Sequence, residues 1–180
     1  IHSGGTLDIE GGTLIVKGDY RIQKPTEVAG EYTYAQSALL MQNANDYVLV
    51  EGDFVMDSST GHGSYLTAGI LELKGNFTQL STYVSSSGGY ENFQASGSHR
   101  VVLSGSTQQT VQFATLSSGN SHFNELQFIN DPVNITFLNG DYTTDKLIYD
   151  PSTQILVDLH ISKMNFTLQQ DMTVHPADGE

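Results

Sequence analysis

At 180 residues the chain has the length of one ordinary domain, and 38% apolar residues are enough to build a core. Seven Lys and Arg against 20 Asp and Glu leave a net charge of −13, which opposes binding to nucleic acid and to anionic membrane surfaces. There is no cysteine, so disulfide frameworks and Cys-ligated metal centres are excluded. No apolar run approaches the roughly 20 residues needed for membrane insertion as a spanning helix. Gly, Ser, Thr, Asn and Gln dominate the polar remainder and only 15% of residues are charged, a balance typical of extracellular β-proteins. No signal peptide is visible and the patterned sequence starts close behind Ile1. The expectation is a single domain over residues 1–180, cut from a longer parent chain.

The first patterned segment, Gly4-Gly5-Thr6-Leu7, returns seven residues later as Gly11-Gly12-Thr13-Leu14. One side of a repeating coil then takes about seven residues and three sides about 21. Next comes Leu14-Ile15-Val16-Lys17-Gly18-Asp19-Tyr20, which recurs as Val48-Leu49-Val50-Glu51-Gly52-Asp53-Phe54 and as Leu71-Glu72-Leu73-Lys74-Gly75-Asn76-Phe77. A fourth copy is Val101-Val102-Leu103-Ser104-Gly105, and a fifth ends in Leu138-Asn139-Gly140-Asp141-Tyr142. In the clear copies the first and third residues are apolar and an aromatic follows four beyond the third. Period-two alternation puts all three on one face, the core face. The Gly-Asp or Gly-Asn pair between them reads as a structural corner: Gly18, Gly52, Gly75 and Gly140 for positive φ, with Asp19, Asp53, Asn76 and Asp141 bonding back to nearby backbone.

If successive copies pair in register, Tyr20, Phe54 and Phe77 form an internal aromatic ladder, and Lys17, Glu51 and Lys74 an external ladder of alternating charge. Gly52 and Gly75 are 23 residues apart, close to the minimal coil, while the other intervals are longer. Their excess falls in Lys24 to Ser37, Leu80 to Ser98 and Ala114 to His122, with a shorter stretch from Asp57 to Thr67. All follow the second strand of a copy, so the reading places these insertions along one decorated edge. After Phe123 strand-like alternation persists without the corner.

The units TLIVKGDY, YVLVEGDFVMDS, AGILELKGNFTQ, SHRVVLSGSTQQTVQF and FNELQFIN resemble repeat modules of large secreted or cell-surface proteins of Gram-positive bacteria, over about residues 4 to 130. The resemblance implies an all-β fold, a right-handed parallel β-helix or solenoid with loop insertions on one edge. It also implies an extracellular or cell-surface location beside other domains of the same parent chain, with a role in adhesion, architecture or glycan contact. It carries no catalytic residue set. Thr136, where an apolar residue is expected, departs from the pattern.

Candidate binding residues are Tyr32, Tyr34, Tyr65, Tyr83 and Tyr90, which lie in the insertions, where exposed rings stack on sugars and hydroxyls bond polar groups. The plainer reading has them covering the apolar edge of the coil. Asp19, Asp53 and Asp141 form a column in which calcium is the one candidate ion. Corner chemistry accounts for them with no cofactor, and Asp145, Asp150, Asp158, Asp171 and Asp178 are too scattered to add ligands. The histidines His2, His62, His99, His122, His160 and His175 show no metal-ligand spacing and read as solvated.

A polysaccharide-degrading β-helix, a glycoside hydrolase or lyase, is the competing reading. Elimination needs a cationic groove that seven basic residues do not supply, whereas hydrolysis could use Asp53 and Asp57. The balance favours a non-catalytic module whose partner is a polysaccharide or a host or cell surface. Three glycosylation triplets, at Asn76, Asn134 and Asn165, fall in expected strands and read as structural.

Overall fold

A computed structural model describes residues 1–83, 89–116, 119–128, 135–138, 143–149 and 167–168. These residues are all-β, with no helix among them, and most of their strands pair in parallel. The repeats generate two sheets. The first strands of successive copies are β2 (Thr13–Val16), β7 (Tyr47–Val50), β9 (Ile70–Leu73) and β11 (Arg100–Leu103). They are followed by β13 (Phe123–Phe128), β15 (Thr143–Tyr149) and β16 (Thr167–Leu168), and together make a seven-stranded parallel sheet in chain order. The second strands, β3 (Tyr20–Ile22), β8 (Phe54–Met56), β10 (Phe77–Gln79), β12 (Gln109–Phe113) and β14 (Ile135–Leu138), make a five-stranded one.

Alternation fixes which side chains enter the core. Buried and half-buried residues alternate along β7, β9 and β12, and the register aligns Leu14, Val48, Leu71, Val101 and Leu126 in one inward column. A one-residue slip would turn every such column outward, so burial itself sets the register. The expected aromatic ladder is present: Tyr20 pairs with Phe54 and Phe54 with Phe77, at ring separations of 5.8 and 5.7 Å. Phe93, Phe113 and Phe123 extend it, with Phe77 4.8 Å from Phe93 and 4.9 Å from both others. Outside, Lys17 Nζ lies 2.9 Å and Lys74 Nζ 3.6 Å from the same oxygen of Glu51. The fifth copy is displaced, because Phe123–Phe128 takes the first-strand place and Ile135–Leu138, with Leu138, joins the second-strand sheet. Its corner, Gly140 and Asp141, lies outside the described residues.

The Gly-Asp corner differs from its sequence reading in both residues. Gly18, Gly52 and Gly75 do not have positive φ. Glycine is needed at Gly52 because a Cβ there would stand 2.6 Å from Asp19 Oδ1 and 2.7 Å from Gly18 C, in the preceding copy. The acids bond across copies rather than locally. Asp19 Oδ1 accepts the Asp53 N–H at 3.0 Å, Asp53 Oδ1 accepts the Asn76 N–H at 2.8 Å, and Asn76 Oδ1 accepts the Thr110 N–H at 2.8 Å. Positive φ is found instead at the corner leading into the first strands, at Gly11, Gly69 and Gly97.

A third line of pairing is shorter. β1 (Gly4–Asp8) pairs in parallel with β6 (Gln36–Leu40), and single bridges join Ala35 to Ser58, Met41 to Leu66 and Gln94 to His122. The segment Asp57 to Thr67 is therefore not an insertion: Asp57, Ser58, His62 and Leu66 are fully buried, as are Asn92 and Phe93 in the next. These segments supply side chains to the core as well as loops to the edge, because Leu66 and Phe93 complete it. What protrudes includes an antiparallel hairpin of β4 (Lys24–Pro25) and β5 (Tyr32–Thr33), closed by Gly30 at positive φ.

Candidate functional site

Two loops from non-adjacent copies meet across the copy between them. The chain passes from Met56 directly into Asp57, which is buried between the hairpin after β3 and the loop after β10. Tyr34 from the hairpin and Tyr83 from the loop meet there, with ring centroids 4.7 Å apart and planes at 60°. Asp57 fixes the pair from below. Its Oδ2 accepts the Thr82 hydroxyl at 2.8 Å and its Oδ1 the Thr82 N–H at 3.1 Å, while Thr82 Oγ1 accepts the Tyr34 N–H at 3.1 Å. A carboxylate with both oxygens engaged is a strong anchor, since bonds to ionised groups are about twice as strong as neutral ones.

The remaining tyrosines are placed separately. Tyr32 is half-buried and carries the Arg21 guanidinium 5.2 Å above its ring, a cation–π contact; Arg21 also reaches Asp19 and Gln23 at 3.4 Å. Tyr90 is 39% exposed, close to the 37% of Tyr34, and its carbonyl accepts the Ser121 and Thr115 hydroxyls. Tyr65 stacks edge-on against buried His62 at 5.8 Å, packing onto the repeat as the plainer sequence reading has it. Among the described residues no ring contact joins Tyr65 or Tyr90 to the Tyr34–Tyr83 pair. What the edge offers is thus one fixed aromatic pair flanked by Thr82 and by the Arg21–Tyr32 stack.

A second polar cluster, on the outer face of the seven-stranded sheet, escaped the sequence reading. Glu72 accepts the Tyr47 hydroxyl at 2.6 Å and the Ser104 hydroxyl at 2.7 Å, so one carboxylate spans three successive strands. Desolvation, then the bond to Glu72 and its charge, push the Tyr47 hydroxyl up to about 12. Beside it Arg100 pairs with Glu125 at 2.8 Å and bonds Gln127 at 3.3 Å, at the rim of a shallow depression lined by Ala44, Gly69, Ile70 and Ser98. The signal was present as outward positions of aligned first strands, but it becomes legible only when the copies are stacked.

Other expectations change. His62 and His99 are not solvated but fully buried, His62 bonding the Leu39 N–H of β6 and His99 packing at the corner before β11; His160 and His175 lie outside the described residues. Of the two acids offered for hydrolysis, Asp57 is buried with its carboxylate bonded to Thr82. Asn76 donates to Asp53 and accepts from Thr110, so its glycosylation triplet is structural. Among the described residues no group of three or more His, Asp or Glu is placed to hold a metal ion, and no helix is long and apolar enough to cross a membrane. No family model, curated protein or solved structure matches the chain.

Proposed function

We propose that the chain is a stretch of right-handed parallel β-helix in an extracellular surface protein, serving as a spacer that holds a glycan-binding edge. The fold reading is supported by parallel strands that pair copy to copy in chain order in both large sheets. A left-handed path between the two sheets in a crystal structure would overturn it.

The observation that carries the binding reading is the Tyr34–Tyr83 pair, tied to buried Asp57 through Thr82. Aromatic rings held in advance lose little conformational entropy when a sugar ring stacks on them. Binding and not hydrolysis is favoured because Asp57, the accessible partner that Asp53 would need, is buried. The test is a titration against a panel of neutral and acidic polysaccharides. Saturable binding that weakens at least tenfold in Tyr34→Ala/Tyr83→Ala, with unchanged thermal unfolding, is expected. Undiminished binding would sink the site, and release of reducing ends by the unmodified chain would sink the non-catalytic reading.

A further inference from the structure

The third line of pairing is interrupted where β6 faces the next repeat. Its flanks bridge, Ala35 to Ser58 and Met41 to Leu66, but between the bridges the next repeat turns away from an extended path. There the Leu39 N–H is accepted by a side chain, Nε2 of His62, at 3.1 Å. His62 Nδ1 lies 2.9 Å from the Thr60 carbonyl. A carbonyl only accepts, so Nδ1 carries the proton and Nε2 is the bare nitrogen. The main chain of His62 ties in the following repeat as well: its N–H donates to the Glu91 carbonyl at 3.0 Å, and its own carbonyl accepts the Leu66 N–H. One buried, neutral imidazole therefore stands in for a strand.

We propose that His62 is an acid-sensitive clasp: a proton on Nε2 turns the acceptor into a donor aimed at the Leu39 N–H, and β6 parts from the repeat that follows it. The groups facing it do not offset that charge. His2 from the N-terminal stretch and His99 from the corner before β11 are themselves basic. The Tyr65 ring meets it edge-on. The Asp57 carboxylate is turned to Thr82, and that of Glu91 lies against Gly61. His99 has no hydrogen-bond partner on either ring nitrogen among the described residues, and the carboxylate whose charge reaches it, Asp46, is engaged by the Gly11 and Asn43 N–H groups.

Desolvation lowers His62 to about 4 and His99 to about 3. Both lie below the unfolded value of about 6.5. The unfolded chain therefore binds the protons first. Stability is fully present above pH 6.5 and is lost as pH falls toward 4 for His62 and toward 3 for His99, a window that opens before ordinary carboxylates titrate.

The test is urea unfolding of the 180-residue chain from pH 7.5 to 5. The folding equilibrium constant is expected to be flat near pH 7.5 and to fall about fiftyfold between pH 6 and 5, about sevenfold for each histidine. His62→Gln keeps an acceptor near Nε2 without a titrating nitrogen, and about a sevenfold fall should remain. A second readout needs no variant: in wild type, the Leu39 amide should lose exchange protection in acid before the amides of β8 and β10. A flat constant down to pH 5, an unchanged slope in His62→Gln, or Leu39 protection lost only with global unfolding would overturn the proposal.

Discussion

Two corners of the repeat both depend on glycine, for opposite physical reasons. At the corner joining the two large sheets, Gly52 and Gly75 have no positive φ, and their missing side chains let one copy sit directly on the next. At the corner leading into the first strands, Gly11, Gly69 and Gly97 occupy the left-handed region, with φ of 77°, 81° and 64°. Each corner is then stitched by a carboxylate or amide that accepts a backbone N–H from a neighbouring copy. Asp19, Asp53 and Asn76 do so at the first, and Asp46, taking the Gly11 N–H at 2.6 Å, at the second. A recurring glycine is thus two different constraints, one on stacking and one on backbone conformation.

The widest gap between the corners should open at Gly69, where both constraints coincide. Its φ is +81°, and a Cβ would also stand 2.6 Å from the Asp46 carbonyl oxygen. Gly69→Ala is expected to cost about 3 kcal/mol, strain and overpacking each contributing, as read from urea midpoints. The stacking corner separates the two causes more cleanly. Gly52→Ala should cost about 2 kcal/mol from overpacking alone, whereas Gly18→Ala, with no atom of the described residues beyond its chain neighbours within 4 Å of the new methyl, should stay within about 0.5 kcal/mol. Equal effects at Gly18 and Gly52 would mean that the corner depends on φ after all.

The sequence made the aromatic and charge ladders legible because each needs only period-two alternation and a repeat. Tyr20, Phe54 and Phe77 had to share a face, and Lys17, Glu51 and Lys74 had to follow. It hid the reason for Gly52, since stacking contact depends on the copy beneath and not on local turn chemistry. It also hid the third line of pairing. There Ser58, His62 and Asn92 replace backbone acceptors and donors with side chains, leaving no alternation to read, and polar residues in a loop-like stretch resemble an exposed insertion. The edge tyrosines were visible as a group. That Tyr34 and Tyr83 touch while Tyr65 does not was beyond reach, because it rests on Asp57 meeting Thr82 across 25 residues of chain.

The smallest effect sharpens what the corner acids are for. Asp53 holds the Asn76 N–H and its side-chain amide on a single oxygen, at 2.8 and 3.0 Å. Asparagine already performs the same task one copy later, with Asn76 Oδ1 accepting the Thr110 N–H. The hydrogen bonds at this corner thus call for an acceptor at Oδ1, which an amide supplies as well as a carboxylate. Asp53→Asn should change stability by no more than about 0.5 kcal/mol, against about 1–2 kcal/mol for Asp53→Ala, which leaves a partly buried N–H unpaired. Thermal unfolding of the wild type should be indifferent to added calcium. A calcium-dependent rise in the midpoint that Asp53→Asn removes would make the column an ion site, and the acids at this corner would then differ from Asp46 in purpose as the glycines already differ in conformation.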